Sequence, residues 1–533
     1  MNIARLIEDN IARFGQYDFL FYNERSYTNV ELNRATNQLA NALRRLGVKK
    51  GERVGVQLLN CPELIQTFFA VFRLGAVLVP INPALREAEL RHLYQDSGLV
   101  ALVSHKDYSD RIREAVKTTA IKHVLLLGEE LAKDALAYAD ALASGSDERV
   151  MEETDNDDLA VILYTAGTTG NPKGVMLTHY NWYTLISGYY DLALLDTRGI
   201  LAKATVIKAG GAGGAAATEE IEIFGVDRGR SSLIALPLFH GYGIFTVNAE
   251  FLAGGRLILM SRWDVDQALQ YIERYRVTDF RAVPTMYIQI LHSAKADAHD
   301  LSSLKLCISG SAPLPLDVAR RWREKYGKDI WEGYGLSEAA AVNCGNAAAK
   351  RPPKYGSVGV CYQKCNTIKV FDQNDRELAA GQIGEVVIKG PTIMKGYWNK
   401  PEETARVLRN GWLYTGDIGF MDEDGYLFLT ERKKDLIIRG GENVYPKEVE
   451  NVLHQHPEVL EAGVIGVPDE TYGEEVKAFV VLRTPGSTSE QELLSFCSGH
   501  LPNYKRPKSI RIMDALPKSA VGKILRRELR KLA

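Results

Sequence analysis

Two short stretches, more than three hundred residues apart, carry residue types suited to phosphate chemistry. The first runs Tyr164-Thr165-Ala166-Gly167-Thr168-Thr169-Gly170-Asn171-Pro172-Lys173-Gly174-Val175, directly behind the apolar run Leu-Ala-Val-Ile-Leu at 159–163. Its glycines lack a Cβ, so the backbone can approach a phosphate closely, and its threonines offer hydroxyl donors. The second, Pro517-Lys518-Ser519-Ala520-Val521-Gly522-Lys523-Ile524, sets a lysine on a glycine-containing turn that can enter or leave a site as a unit. Together they point to ATP chemistry completed by a charge from another part of the chain.

The first stretch is not a Walker A loop, which requires G-x-x-x-x-G-K-[ST]. From Gly167 the chain reads G-T-T-G-N-P-K-G, so the glycine spacing differs and Gly174 follows Lys173 where Ser or Thr should stand. The competing reading is an ordinary strand-to-helix turn.

The elements that must position these groups follow from patterning. At 533 residues the chain exceeds what one hydrophobic core usually supports, which predicts a large part and at least one small one. The formal charge of −2 leaves no footprint for nucleic acid, so an anionic ligand needs local basic groups. Cys61, Cys307, Cys344, Cys361, Cys365 and Cys497 are scattered and form no disulfide framework. Cys361 and Cys365 lack a second Cys/His pair to complete a zinc site. The set reads as structural thiols in a reducing, cytoplasmic compartment. The N-terminal residues lack the apolar core of a signal peptide. The most apolar stretch, 64–81, is broken by Gln66, Arg73 and Gly75, and reads as a buried helix and turn instead of a membrane span.

In the first half, Thr28 and Glu31 form a capping-box signature that opens an amphipathic helix to Leu46. Strands are expected at 53–59, 76–80, 100–103, 123–127 and 232–236, with a helix at 62–74. Strands alternating with helices predict α/β layers with largely parallel sheet. From about Asn366 short strands at 367–371 and 384–390 alternate at period two, as half-buried antiparallel strands do, and 421–429 reads as a turn followed by a strand. A third zone begins near Arg432, with helices at 446–454 and 489–501 and strands at 461–467 and 476–482; its size suits a separate small domain. The run 209–217 is Gly/Ala-rich and reads as a mobile surface excursion, with 206–207 and 221–224 able to pair as a hairpin around it.

With these segments in place, the chain resembles the adenylate-forming superfamily of acyl-CoA synthetases, adenylation domains and luciferases, and within it bacterial fatty-acid–CoA ligases. The resemblance rests on eight motifs in order: 164–175; Leu-Pro-Leu-Phe-His at 236–240; Ser-Gly-Ser-Ala-Pro-Leu at 309–314; Gly-Tyr-Gly-Leu-Ser-Glu at 333–338; Tyr-Thr-Gly-Asp at 414–417; Arg-Lys-Lys-Asp at 432–435; Gly-Gly-Glu-Asn-Val-Tyr-Pro at 440–446; and 517–523. It implies a large N-terminal α/β domain (1–431) with layered sheets and a small β-barrel-like part, and a small mobile α+β C-terminal domain (432–533). It also implies a two-step reaction. A carboxylate attacks the α-phosphorus of ATP, releasing pyrophosphate, and the CoA thiol then displaces AMP from the acyl-adenylate. Mg²⁺ is the implied cofactor, with ATP, CoA and a carboxylic acid as substrates. No nucleic acid and no membrane span are implied, and a homodimer stays open.

Carried over residue by residue, the resemblance gives these roles. Thr165, Gly167, Thr168, Thr169, Gly170 and Lys173 hold phosphates, with Ala166 standing where the family usually has Ser. Glu338 is the Mg²⁺ ligand, preceded by Ser337 where Thr is commoner. Tyr334 lies on the adenine face, with Ser311, Ala312, Glu332, Gly333 and Gly335 around the nucleotide. Asp417 accepts from the ribose hydroxyls, with Arg432 nearby. Lys523 is the catalytic lysine, Lys434 the hinge, and Gly440 and Gly441 line the pantetheine tunnel. His240 stands at the junction of acyl pocket and thiol tunnel as an aromatic gate. Tyr242, Gly243, Gly310, Leu336 and Ala340 border the acyl pocket. Lys505, Arg506 and Lys508 are candidates for the CoA phosphates.

Each residue also has a plainer reading: Glu338 as a solvated carboxylate at a helix start, Tyr334 as a core tyrosine, Asp417 as a turn residue, Lys523 as one more cation in a solvated basic tail with Lys518, Arg526, Arg527 and Arg530. Among functions, a medium- or long-chain fatty acid–CoA ligase leads. An aryl or alicyclic acid–CoA ligase, an acyl-AMP ligase loading a carrier protein, and a non-catalytic nucleotide sensor compete with it.

Overall fold

The computed structural model describes residues 2–128, 135–165, 172–189, 230–346, 353–361, 366–432, 435–519 and 522–533, together with a strand pair at 205–207 and 218–220. The residues expected at 166–171, 209–217 and 221–224, and the hinge lysine Lys434, lie outside this set; Thr205–Ile207 pairs with Thr218–Glu220.

Two layered sheets form the body. One has nine strands, and the six from Ile330–Tyr334 through Leu306–Ser309, Asp279–Ala282, Ser231–Ile234 and Arg256–Leu259 to Asp18–Tyr22 run parallel. The other has eight, with Leu159–Thr165, Val77–Pro80, Arg53–Gln57, Leu99–His105, His123–Leu127 and Leu136–Ala137 parallel. Parallel strands need both faces covered, and the helices do this. Helix Asn29–Arg45 starts on Thr28, whose side chain accepts from Glu31 N while the Glu31 carboxylate receives the Thr28 N–H, a cap of about 1 kcal/mol. Helix Pro62–Arg73 is buried nearly all round. Arg73, at 0% exposure, donates through Nη1 to Glu8 (3.0 Å), Asn37 (2.7 Å) and the Val150 carbonyl (3.1 Å), so the arginine that argues against a membrane span is a paired interior charge. Among the described residues no helix is long and apolar enough to cross a membrane.

A third sheet is wholly antiparallel: Thr367–Phe371, Gly384–Lys389, Trp412–Met421 and Leu408–Arg409, with Leu427–Arg432 paired to Trp412–Met421. Beyond it, Ile437–Arg439, Glu442–Val444, Val459–Asp469, Gly473–Leu482 and Ser509–Ile512 form a separate sheet, covered by helices Pro446–Gln455 and Glu490–His500. That sheet has a core of its own, built from residues such as Val449, Leu453, Val464, Val480 and Leu493.

Candidate active site

The stretch 164–175 is neither a Walker A loop in sequence nor a strand-to-helix turn. Leu159–Thr165 leads into it and Lys173–Thr178 leaves it as an antiparallel partner, with Thr165 opposite Lys173. Strand register therefore fixes the two described ends of the stretch, Thr165 and Lys173. Gly174 must be small, because a Cβ there would lie 2.7 Å from Ile162 and 3.2 Å from Trp398.

At the C-terminal ends of the parallel strands, where open α/β sheets place ligands, a cavity of about 230 Å³ opens. Ser311, Ala312, Glu332, Gly333, Tyr334, Gly335, Asp417 and Arg432 line it from the body, and Lys523 with Gly522 and Arg526 from the opposite side. Tyr334 ends its strand with the ring against this space and donates its hydroxyl to Asp417 Oδ2 at 2.6 Å. Burial and the neighbouring Asp417 carboxylate push the phenol pKa well above its ordinary value. Arg432 Nε meets Asp417 Oδ1 at 2.8 Å, and the two residues are direct cross-strand partners. The Asp417 carboxylate raises the Arg432 guanidinium pKa, and Glu338 adds to that effect. Asp417 is thus a strand residue instead of a turn residue. With two donors on it and each oxygen offering two lone pairs, it keeps capacity for ribose hydroxyls. Glu332 Oε1 accepts from Leu314 N at 3.1 Å, and burial raises its pKa.

The backbone is held in unusual conformations at Ser311, which lines the cavity, and at Ala340, which does not. Ser311 has φ +67° and Ala340 φ +55°, left-handed values that cost about 1–3 kcal/mol each in non-glycine residues and gather at functional sites. Gly335 has no alternative, since a Cβ would fall 1.7 Å from the Ala341 carbonyl oxygen.

Lys523 sits on a compact turn: Ser519 N donates to the Lys523 carbonyl (2.8 Å), Gly522 N to the Ser519 carbonyl (2.9 Å), and Lys518 bridges to Ile524. Gly522 has φ +72° and a Cβ there would stand 2.8 Å from Thr285 Oγ1 of the body, so glycine permits both the turn and the close approach. The basic tail is not a solvated run. Arg526 reaches Glu431 (3.0 Å), Glu450 (2.8 Å) and the Val464 carbonyl (3.1 Å), Arg530 holds Asp435 (2.9 Å), and Lys518 pairs with Glu461. Arg527 is the more exposed of these arginines, beside Glu528 (3.1 Å).

Thr165, Lys173, Ser337 and Glu338 do not line the large cavity; Lys173 and Glu338 meet in a second cluster. The Lys173 ammonium pairs with Glu403 and lies 5.1 Å over the Tyr397 ring, and Tyr397 donates its hydroxyl to Glu338 Oε1 at 2.9 Å. Glu338 is therefore a tethered carboxylate instead of a solvated one, on the turn Ser337–Ala339. Tyr397 and Glu403 escape a reading by motif, because their roles depend on the short strand Gly396–Tyr397 folding back onto Met176 and Val175.

A smaller cavity of about 50 Å³ adjoins the first. Of the residues expected around the acyl group, Tyr242 and Gly310 line it, with Gly333; Gly243, Leu336 and Ala340 do not, and Phe245, Trp331 and Val342 do. Gly243 is required by packing instead: a Cβ would meet the Pro237 carbonyl oxygen at 2.6 Å. The alternation along Ile330–Tyr334 is the signal that would have found Trp331. His240 precedes helix Gly241–Ala253 beside Phe239, ring centroids 4.7 Å apart. Burial pushes its pKa down to about 4, so the ring is neutral near pH 7 and a poor base for a thiol. Gly440 and Gly441 (φ +59° and +86°) form the tip between Ile437–Arg439 and Glu442–Val444, away from both cavities. Lys505, Arg506 and Lys508 are engaged within the tail, by Glu448 (2.5 Å), the Leu501 carbonyl (2.9 Å) and Asp469 (2.8 Å).

Comparison with known proteins places this geometry in a family. The chain belongs to the AMP-binding enzyme family, whose model matches residues 7–398, with the model of the C-terminal domain of that enzyme matching 448–523. It is an enzyme of the AMP-forming acid–thiol ligase class. It is similar to the long-chain-fatty-acid–CoA ligase of Bacillus subtilis (strain 168), 35% identical over 557 residues, 99% of this chain and 94% of that one. It is also similar to the feruloyl-CoA synthase of an Amycolatopsis species, 36% identical over 505 residues, 95% and 93% of the two chains. Among solved structures, ATP-bound MatB from Rhodopseudomonas palustris superposes with TM-score 0.86 at 30% identity, covering 100% of this chain and 99% of that one; apo MatB gives 0.75.

Proposed function

We propose that this enzyme converts a carboxylic acid, ATP and CoA to acyl-CoA, AMP and pyrophosphate through an acyl-adenylate. The observation that carries this is the convergence of Tyr334, Asp417, Arg432 and Lys523 on one cavity. Adenine lies against Tyr334 and the ribose hydroxyls bond Asp417. The substrate carboxylate oxygen attacks the α-phosphorus, the bond to the bridging oxygen breaks, and pyrophosphate leaves with its electrons. Lys523, between carboxylate and α-phosphate, offsets the charge that develops there. Thr165 and Lys173, with Gly167, Thr168, Thr169 and Gly170 beyond the described residues, hold the departing phosphates. In the second step the CoA sulfur attacks the acyl carbon and AMP departs.

A divalent cation, when bound, neutralises phosphate charge, and Glu338 is the residue that would hold it. A single carboxylate fits a hydrated Mg²⁺ carried mostly by phosphate oxygens and water; no cluster of three or more metal-binding side chains occurs among the described residues. We divide the chain at 431/432, with Arg432 still paired to the body through Asp417, and assign the second step to a rotated tail that brings Gly440 and Gly441 to the thiol path, with Lys434 as hinge. The separate core of the tail supports this. The free cysteines among the described residues suit a cytoplasmic setting.

For the acid, full-length similarity to fatty-acid–CoA ligases supports a medium or long chain. The small cavity favours a second reading, an aryl or alicyclic acid. Its ≈ 50 Å³ suits a compact ring between Tyr242, Phe245 and Trp331 better than a long chain. A carboxylate panel in a pyrophosphate-release assay, with CoA and a holo-carrier protein as competing acceptors, tests all of this. Release with no carboxylate in the panel overturns the reading; thioester formed on the carrier alone replaces CoA with a protein acceptor.

A further inference from the structure

We propose that Tyr397 is a positioning residue that fixes the Glu338 carboxylate relative to the lysine of the phosphate loop. The inference rests on the reading of Glu338 as the cation ligand. One side chain touches both groups: its hydroxyl donates to Glu338 Oε1 at 2.9 Å, and its ring face lies 5.1 Å beneath the Lys173 ammonium. Tyr397 is itself immobilised. It is 8% exposed, its N–H donates to Thr404 Oγ1 at 2.9 Å, and it pairs across the sheet with Val175, two residues beyond Lys173. The same segment grips Glu338 a second time, through Met394 N to the Glu338 carbonyl at 2.9 Å. A phenol that donates one bond to a carboxylate restricts its rotamers and leaves the remaining lone pairs for a cation. Groups in this position typically change metal affinity 10–100-fold when removed. The ring contributes separately, as a face on which a cation rests.

The test is the Mg²⁺-dependent gain in ATP affinity, measured by calorimetry on the full chain with Mg²⁺ and with chelator. Tyr397→Phe keeps the ring and loses the hydroxyl. It should cut that gain about 10-fold while ATP binding in chelator, the melting temperature and thioester formation from supplied acyl-adenylate stay unchanged. Tyr397→Leu should lower ATP affinity in chelator as well, through Lys173. Glu338→Gln should abolish the gain. If Glu338→Gln leaves the gain intact, Glu338 is not the ligand and the role of Tyr397 falls with it. If Glu338→Gln abolishes the gain but Tyr397→Phe does not change it, only the inference about Tyr397 falls. Equal loss with and without Mg²⁺ in Tyr397→Phe overturns the inference in favour of a purely structural tyrosine.

Discussion

The two faces of the large cavity are built from different materials. The body face is regular strand: Tyr334 ends a parallel strand, and Asp417 and Arg432 oppose each other in an antiparallel ladder. The tail face is a turn of a few residues, closed by Ser519 and an isolated bridge, and resting on Thr285 through a glycine. A strand register fixes where a ligand lies. A turn resting on a neighbour governs whether a charge reaches it. The comparison predicts that lesions on the body face impair nucleotide binding, whereas lesions on the tail face impair one half-reaction.

The largest effect is expected from Lys523→Ala. Adenylation should fall about 10³-fold, with thioester formation from supplied acyl-adenylate nearly unchanged. Equal loss in both half-reactions, measured by pyrophosphate release and by thioester yield, would erase the contrast between the faces. Next is Asp417→Asn, which removes the charge that Arg432 and Tyr334 engage; the KM for ATP should rise roughly 10–100-fold, since charge-assisted bonds are worth about 1.5–3 kcal/mol each. Gly522→Ala sharpens the comparison. Its Cβ collides with Thr285 in the present arrangement and its φ of +72° strains the turn, so adenylation should slow about 10-fold and the melting temperature should fall slightly. Rescue by Thr285→Ala would locate the collision.

The smallest effect concerns pH. His240 is depressed to about 4 and His179 to about 3, both chiefly by burial. Each stays neutral in the folded chain while its unfolded counterpart gains a proton below the ordinary histidine value of 6.5. Their contribution to stability is complete above that value and is lost as pH falls from 6.5 toward 4 and 3. Melting temperature should therefore decline from pH 7 to pH 5. His240→Phe should soften that decline and leave the pH profile of adenylation from about pH 6 to 8 without a new inflection. A profile that loses an inflection in that range would make His240 a working base.

Much of this was legible in the chain itself where local chemistry decides structure. The Thr28–Glu31 cap, the strand at 123–127 and the helix from Pro62 are set by side chains within one turn or one strand. The nucleotide face was legible through motifs, and Tyr334, Asp417, Arg432 and Lys523 do meet at one cavity. Groups that depend on distant chain returning were not. Tyr397 and Glu403 meet Lys173 only because residues 394–404 fold back beside strand Lys173–Thr178, and Trp331 reaches the small cavity by strand alternation. The strained backbone at Ser311 and Ala340 has no signature in residue type, since neither serine nor alanine favours positive φ. Asp417 follows a glycine, which suggested a turn, yet the ladder runs through it.

Glu431 and Arg526 stand on opposite sides of residues 433 and 434 in the chain, and their side chains meet at 3.0 Å. If the tail swivels there, as proposed above, this pair is one contact that the swivel would have to break, and it favours the posture in which Lys523 lines the cavity. Its grip is partly shielded from solvent and yields only partly to added salt. On that proposal, ionic strength would be a dial on how long the tail dwells in this posture.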